Sequence, residues 1–120
     1  TRYFMFTSKK IKQDEQVFLN LLYDFVLSEN ITDRERKIGL LAKKDVENGK
    51  YLLAVVNKVS SSMQKEAMKN GLSIDASSFY KKLGPIITSI APIGLNRGSM
   101  LVNNSYLDWL YYKLSSSFHF

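Results

Sequence analysis

The side chains able to do chemistry are few and scattered. His119 is the sole histidine. A catalytic triad needs a base beside a nucleophile and a metal site needs several ligands at matched spacing, so a lone His near the end of the chain supplies neither. The absence of cysteine removes thiolate catalysis, Cys-ligated zinc and a disulfide scaffold. Carboxylates pair only as local neighbours, Asp14 with Glu15 and Asp45 with Glu47, as on any solvated helix face. Gly94-Leu95-Asn96-Arg97-Gly98 lacks the strand before it and the Lys-Ser/Thr after it that a phosphate loop requires, so it reads as a plain loop. The expectation is a protein that is not an enzyme and carries no cofactor or metal.

Binding chemistry is more visible. Tyr106, Trp109, Tyr111, Tyr112, Phe118 and Phe120 crowd the end of the sequence, with Arg97 and Lys113 nearby. Trp and Tyr beside basic residues suit a protein contact or a membrane interface. The same rings could instead cover the open side of a helical bundle, and both readings stand. The candidate partner-binding residues are Lys81, Lys82, Arg97, Tyr106, Trp109, Tyr112 and Lys113.

The elements that must position them follow from the pattern. At 120 residues, with 45% hydrophobic and 23% charged residues, the chain reads as one folded domain. Residues 1–12 read as an irregular or extended arm. Val17, Phe18, Leu21, Leu22, Phe25 and Val26 fall at helical spacing and define a helix over 13–28. Thr32 and Glu35 have capping-box spacing and open a second helix, Asp33 to Glu47. Its inner stripe is Ile38, Leu41, Ala42 and Asp45 or Val46, with Arg34, Arg36, Lys37, Lys43 and Lys44 outside. Gly39, mid-helix at a cost of ~1 kcal/mol, suggests a close helix–helix approach.

Asn48-Gly49 and Asn70-Gly71 bracket a third helix over 51–69, with Leu52, Val55, Val56, Val59, Met63 and Ala67 inward and Ser60-Ser61-Ser62 on a flank. Ser73 caps a fourth, carrying Ala76, Phe79, Tyr80 and Leu83 and ending at Gly84-Pro85. A short fifth helix is expected from Asn104 to Ser115. Glycine stops leave almost no linker, so neighbouring helices must fold back on each other. The fold class is all-α, an antiparallel four-helix bundle (13–83) followed by a loop and a C-terminal helical tail (84–120).

The net charge of +6 is mild and spread along the chain. It suits lipid headgroups or nucleic acid, and equally a solvated helix exterior. A helix-turn-helix reader over 33–69 would need Arg, Asn or Gln on its second helix where Leu, Val and Ser stand, so nucleic acid is not expected. No apolar run reaches signal-peptide or membrane-spanning length. The expected location is cytoplasmic, with a weakly membrane-associated fraction at the inner face as the variant, and the expected state a monomer. The Asn30 and Asn103 glycosylation acceptors carry no meaning without a secretory signal.

Several stretches together resemble a known family. They are Leu21-Leu22-Tyr23-Asp24, Asp33-Arg34-Glu35-Arg36, Leu40-Leu41-Ala42-Lys43-Lys44, the turn Val46-Glu47-Asn48-Gly49-Lys50-Tyr51, Gly71-Leu72-Ser73 and Phe79-Tyr80-Lys81-Lys82-Leu83. In order and spacing, over Val17 to Leu83, the chain is similar to the immunity proteins of pediocin-like (class IIa) bacteriocins from lactic acid bacteria, in particular the enterocin A immunity type. The resemblance implies a cytosolic, non-enzymatic antiparallel four-helix bundle that protects a producing cell from its own bacteriocin. Its implied partner is the bacteriocin in complex with its receptor, the membrane part of the mannose phosphotransferase permease. It also implies that the C-terminal half discriminates among bacteriocins. The arm 1–12, Pro85, Pro92 and the segment 101–120 depart from the family pattern. A generic helical interaction module, or one that binds membrane surfaces, is the alternative reading.

Overall fold

A computed structural model of the chain describes residues 2–91 and 105–107, with side chains from Lys9 onward. Four α-helices make up the main body: α1 (Arg2–Val26), α2 (Asp33–Glu47), α3 (Leu52–Asn70) and α4 (Ile74–Ile90). Each packs on the next, and α4 closes back on α1, giving an antiparallel four-helix bundle. There is no strand among the described residues.

The core is built from one stripe of each helix. Phe18, Leu22, Phe25 and Val26 meet Ile38, Ala42 and Val46 of α2, Val55, Val56, Val59 and Met63 of α3, and Ala76, Phe79, Leu83 and Ile86 of α4. Burying each large side chain stabilises the fold by about 1.5–3 kcal/mol before chain entropy is counted. Phe25 stacks on Phe79 with ring centroids 4.2 Å apart, which ties α1 to α4. Val17, expected inside, is 56% exposed, and Ala67 is also exposed. Ser60, Ser61 and Ser62, expected on a flank, are buried.

Two turns behave as their residues dictate. Gly49 and Gly71 hold φ of 79° and 75°, the left-handed region that favours glycine. Ser73 caps α4 by accepting from the Ala76 N–H. Gly39 sits where α2 meets α1. A Cβ there would lie 2.6 Å from Val26 Cγ1, so the missing side chain permits the approach.

The capping box at α2 does more than its spacing foretells. Thr32 Oγ1 accepts from the Glu35 N–H at 3.1 Å, and Glu35 Oε1 accepts from the Thr32 N–H at 2.9 Å. Glu35 is fully buried. Its carboxylate also takes the Ser73 N–H at 2.9 Å and the Ser73 hydroxyl at 2.7 Å. One buried carboxylate therefore joins the first turns of α2 and α4, close to the positive ends of both helix dipoles.

Two boundaries correct the sequence reading. Residues 2–12 are helix rather than an extended arm. No Gly or Pro interrupts the chain between Arg2 and Val26. Lys10 Nζ donates to the Ser89 carbonyl, and Ser89 Oγ donates to Asp14 Oδ1 at 3.0 Å, so α4 supplies the partner that the apolar pattern alone did not reveal. Equally, α4 runs through Gly84-Pro85 to Ile90. Proline removes one N–H and crowds the preceding turn, but Gly84 has no Cβ to clash with the proline ring, and both residues face solvent. Burial of Ile86 and packing of Ile87 and Ile90 against the core draw the helix onward. Of the expected fifth helix only Ser105, Tyr106 and Leu107 are described, the last two helical; residues 92–104 and 108–120 lie outside the described residues.

Candidate functional site

The groove between α2 and α3 is where Ser105–Leu107 meet the bundle. Asp45 lies on the α3 side of α2. Lys58 and Ser62 stand one turn apart on α3, on the same face by helical spacing. Ser105, Tyr106 and Leu107 are seated in this groove at 3%, 5% and 8% exposure. The Tyr106 hydroxyl donates to Asp45 Oδ2 at 2.8 Å. The Tyr106 N–H donates to Ser62 Oγ at 2.9 Å, and Ser105 Oγ donates to the same oxygen at 3.2 Å. Ser62 Oγ in turn donates to the Lys58 carbonyl at 2.6 Å. The Ser62 hydroxyl thus spends its one proton and both lone pairs, which is its full capacity. The Lys58 ammonium sits 4.5 Å from the centre of the Tyr106 ring. Burial, then the hydrogen bond to Asp45 and its negative charge, push the Tyr106 phenol well above its ordinary range. It stays a neutral donor at physiological pH.

Beside this contact opens a cleft of about 260 Å³ whose walls include Arg34, Glu66, Met68 and Leu107. Arg34 grips Glu66 with two nitrogens, Nε to Oε2 at 2.8 Å and Nη2 to Oε1 at 3.1 Å. Glu66 is buried while Arg34 is half exposed. The hydrogen bond and the charge of Glu66 raise the Arg34 pKa, outweighing the opposing effect of burial. Asn70 Nδ2 adds a third donor to Glu66 at 3.3 Å.

The remaining sequence candidates fall elsewhere. Lys81 and Lys82 are exposed on α4. Lys82 borders a smaller cleft of about 180 Å³ between α1 and α4, with Asp24, Ser28 and Asp75. That groove is on the opposite side of the bundle from the α2–α3 groove, so the structure does not bring Lys82 and Tyr106 together. Tyr106 is packed into the bundle and its ring is not offered to a partner. Arg97, Trp109, Tyr112 and Lys113 lie outside the described residues. Sequence reasoning missed Asp45, Lys58 and Ser62 as the seat for the tail. The available signal was the run Ser60-Ser61-Ser62, small polar residues that let another segment come close to α3.

Among the described residues no group of His, Cys, Asp or Glu is placed to hold a metal ion, and no helix is long and apolar enough to cross a membrane. Against known families, the model of the bacteriocin immunity protein family, enterocin A immunity type, matches residues 13–88. The chain belongs to that family. The matched region of this immunity-family protein runs from within α1 to Thr88 near the end of α4, and so contains the Glu35 junction, Gly39 and the α2–α3 groove. It stops before Ser105–Leu107, the segment seated in the groove. No curated protein and no solved structure matches the chain.

Proposed function

We propose that this protein shields a bacteriocin-producing cell from a pediocin-like bacteriocin, acting from the cytosol on the bacteriocin bound to its membrane receptor, the mannose phosphotransferase permease. The family match over residues 13–88 carries the reading. The physical picture supports it. The four helices pack their apolar stripes on one another and form a scaffold. Protection then comes from binding: the protein holds the receptor–bacteriocin complex in a state that does not leak.

Specificity in this reading belongs to the region from Lys81 onward, with Lys81, Lys82, Arg97, Trp109, Tyr112 and Lys113 as the candidate partner-binding residues. Aromatic and basic residues are the types that anchor interfaces. The test is expression in the cytosol of a sensitive strain, followed by exchange of the segment after Leu83 with that of a related immunity protein. Protection by the intact protein, with the protected bacteriocin following the exchanged segment, is the expected result. Protection that follows residues 13–83 would move the specificity surface onto the helices.

A further inference from the structure

We infer that the cleft between α2 and α3 binds a carboxylate on a protein partner: Arg34, locked by the buried Glu66, presents its remaining N–H groups to an acidic side chain, and Met68 takes an apolar neighbour of that side chain. The cleft is independent of the immunity reading above; that its occupant is an acidic peptide segment of the receptor–bacteriocin complex rests on that reading.

A guanidinium carries five N–H groups in a fixed planar fork. Glu66 takes one from Nε at 2.8 Å and one from Nη2 at 3.1 Å, which sets the plane and the direction of the group. The two N–H groups of Nη1 and the outer one of Nη2 make no hydrogen bond among the described residues. One Nη1–H and the outer Nη2–H run parallel, so they match the two oxygens of a second carboxylate. Glu66 is 3% exposed and is held further by Asn70 Nδ2, whereas the Arg34 side chain is 48% exposed. The carboxylate is thus the fixed member of the pair, and the guanidinium is the part that reaches the surface.

Charge in the cleft suits an anion. Among the described residues that line it, Arg34, Lys65 and Lys69 are cationic, and Glu66, already bonded to Arg34 and Asn70, is the one carboxylate. Its volume of about 260 Å³ lies below the roughly 300–1,000 Å³ of small-molecule sites and holds a side chain or two of a peptide. Met68, 85% exposed, and Leu107 add apolar walls. An anionic lipid headgroup carries no apolar group beside its phosphate, whereas an acidic residue next to Leu or Ile in a peptide offers both.

The probe is an acetylated and amidated Leu-Glu-Leu tripeptide, titrated into the protein while NMR follows the Arg34 Nε–H and the Met68 methyl group. Leu-Gln-Leu, inorganic phosphate and phosphatidylglycerol vesicles are the comparisons. Both signals should move with Leu-Glu-Leu, and Leu-Gln-Leu should bind about tenfold more weakly, because it loses hydrogen bonds to a charged group. Two variants spare the fold. Met68→Asp places a negative charge at an exposed position and leaves the Arg34–Glu66 pair intact. Arg34→Met/Glu66→Met removes both charges together, an exchange that is often neutral or stabilising for a buried pair. Each should melt close to the wild type and bind Leu-Glu-Leu about tenfold more weakly. Expressed at matched levels in a sensitive strain, each should lower protection against every bacteriocin that the wild type resists, since the cleft anchors the complex without discriminating. Equal binding of Leu-Gln-Leu and Leu-Glu-Leu would overturn the inference. So would movement of the same signals by phosphate or vesicles and not by the peptide. Full protection by both variants where the wild type protects would overturn the assignment of the occupant and leave the immunity reading standing. A wild type that protects against no bacteriocin ends the immunity reading and the assignment of the occupant with it, and the peptide titration then decides the cleft by itself.

Discussion

Glu35→Ala should be among the most damaging single changes in this protein. The Glu35 carboxylate accepts from the Thr32 N–H at 2.9 Å, the Ser73 N–H at 2.9 Å and the Ser73 hydroxyl at 2.7 Å, and it is fully buried. Hydrogen bonds to a charged group contribute about 1.5–3 kcal/mol each, so three of them bound the loss at roughly 4.5–9 kcal/mol. The true loss is smaller. Thr32 is exposed and Ser73 half-buried, so water can reach their freed donors. The Ser73 Oγ bond to the Ala76 N–H also survives the change. Losing one helix cap costs ~1 kcal/mol, and here a second helix loses its tie as well. The expected net loss is about 2–4 kcal/mol, a large share of the roughly 5–15 kcal/mol that holds a domain of this kind folded. Urea unfolding followed by circular dichroism measures it directly, with the m-value checked for two-state behaviour. Ser73→Ala in the Glu35→Ala background should cost clearly less than in the wild type, since the two residues are bonded to each other. A loss below about 1 kcal/mol for Glu35→Ala, or full additivity with Ser73→Ala, would refute the claim that this carboxylate joins α2 to α4.

Other expectations concern single positions. Gly39→Ala should destabilise by about 1–2 kcal/mol in urea unfolding: the new Cβ meets Val26 Cγ1 at 2.6 Å, and the resulting overpacking exceeds the ~1 kcal/mol that alanine gains in helix propensity. Pro85→Ala should stabilise by roughly 1–3 kcal/mol, since it removes an exposed proline from inside α4; a lower melting temperature would contradict the continuous helix. The folded state raises the Tyr106 pKa above the unfolded value of 10.0. Stability from this group is therefore complete below pH 10 and is lost as pH rises through the alkaline range. Unfolding measured across that range should show the decline, and Tyr106→Phe should lessen it.

How far the sequence revealed this structure depended on whether the signal was local. The α2 boundaries were legible because Thr32 and Glu35 act within one turn and Asn48-Gly49 stops the helix. Gly39 was legible as a close approach because a mid-helix glycine is otherwise costly. The α1 and α4 ends were not. Each extension is held by the other helix, through Lys10, Asp14 and Ser89, and such a pairing leaves no periodic trace in either segment alone. Glu35 showed its cap on Thr32 but not its hold on Ser73, which lies far along the chain. For Tyr106 the aromatic cluster left two readings open, a partner contact or a cover for the side of the bundle, and the structure gives the second. The seat of Tyr106 needs Asp45 and Ser62, whose convergence only the fold provides. The family likeness was legible over Val17 to Leu83, within the matched residues 13–88.

The most direct test of the account expresses the intact protein in the cytosol of a strain sensitive to pediocin-like bacteriocins and measures survival against a panel of them. Marked resistance to at least one pediocin-like bacteriocin, absent from cells carrying the empty vector, is the result the account predicts. Unchanged sensitivity to every member of the panel, with the protein present and folded in those cells, would contradict it.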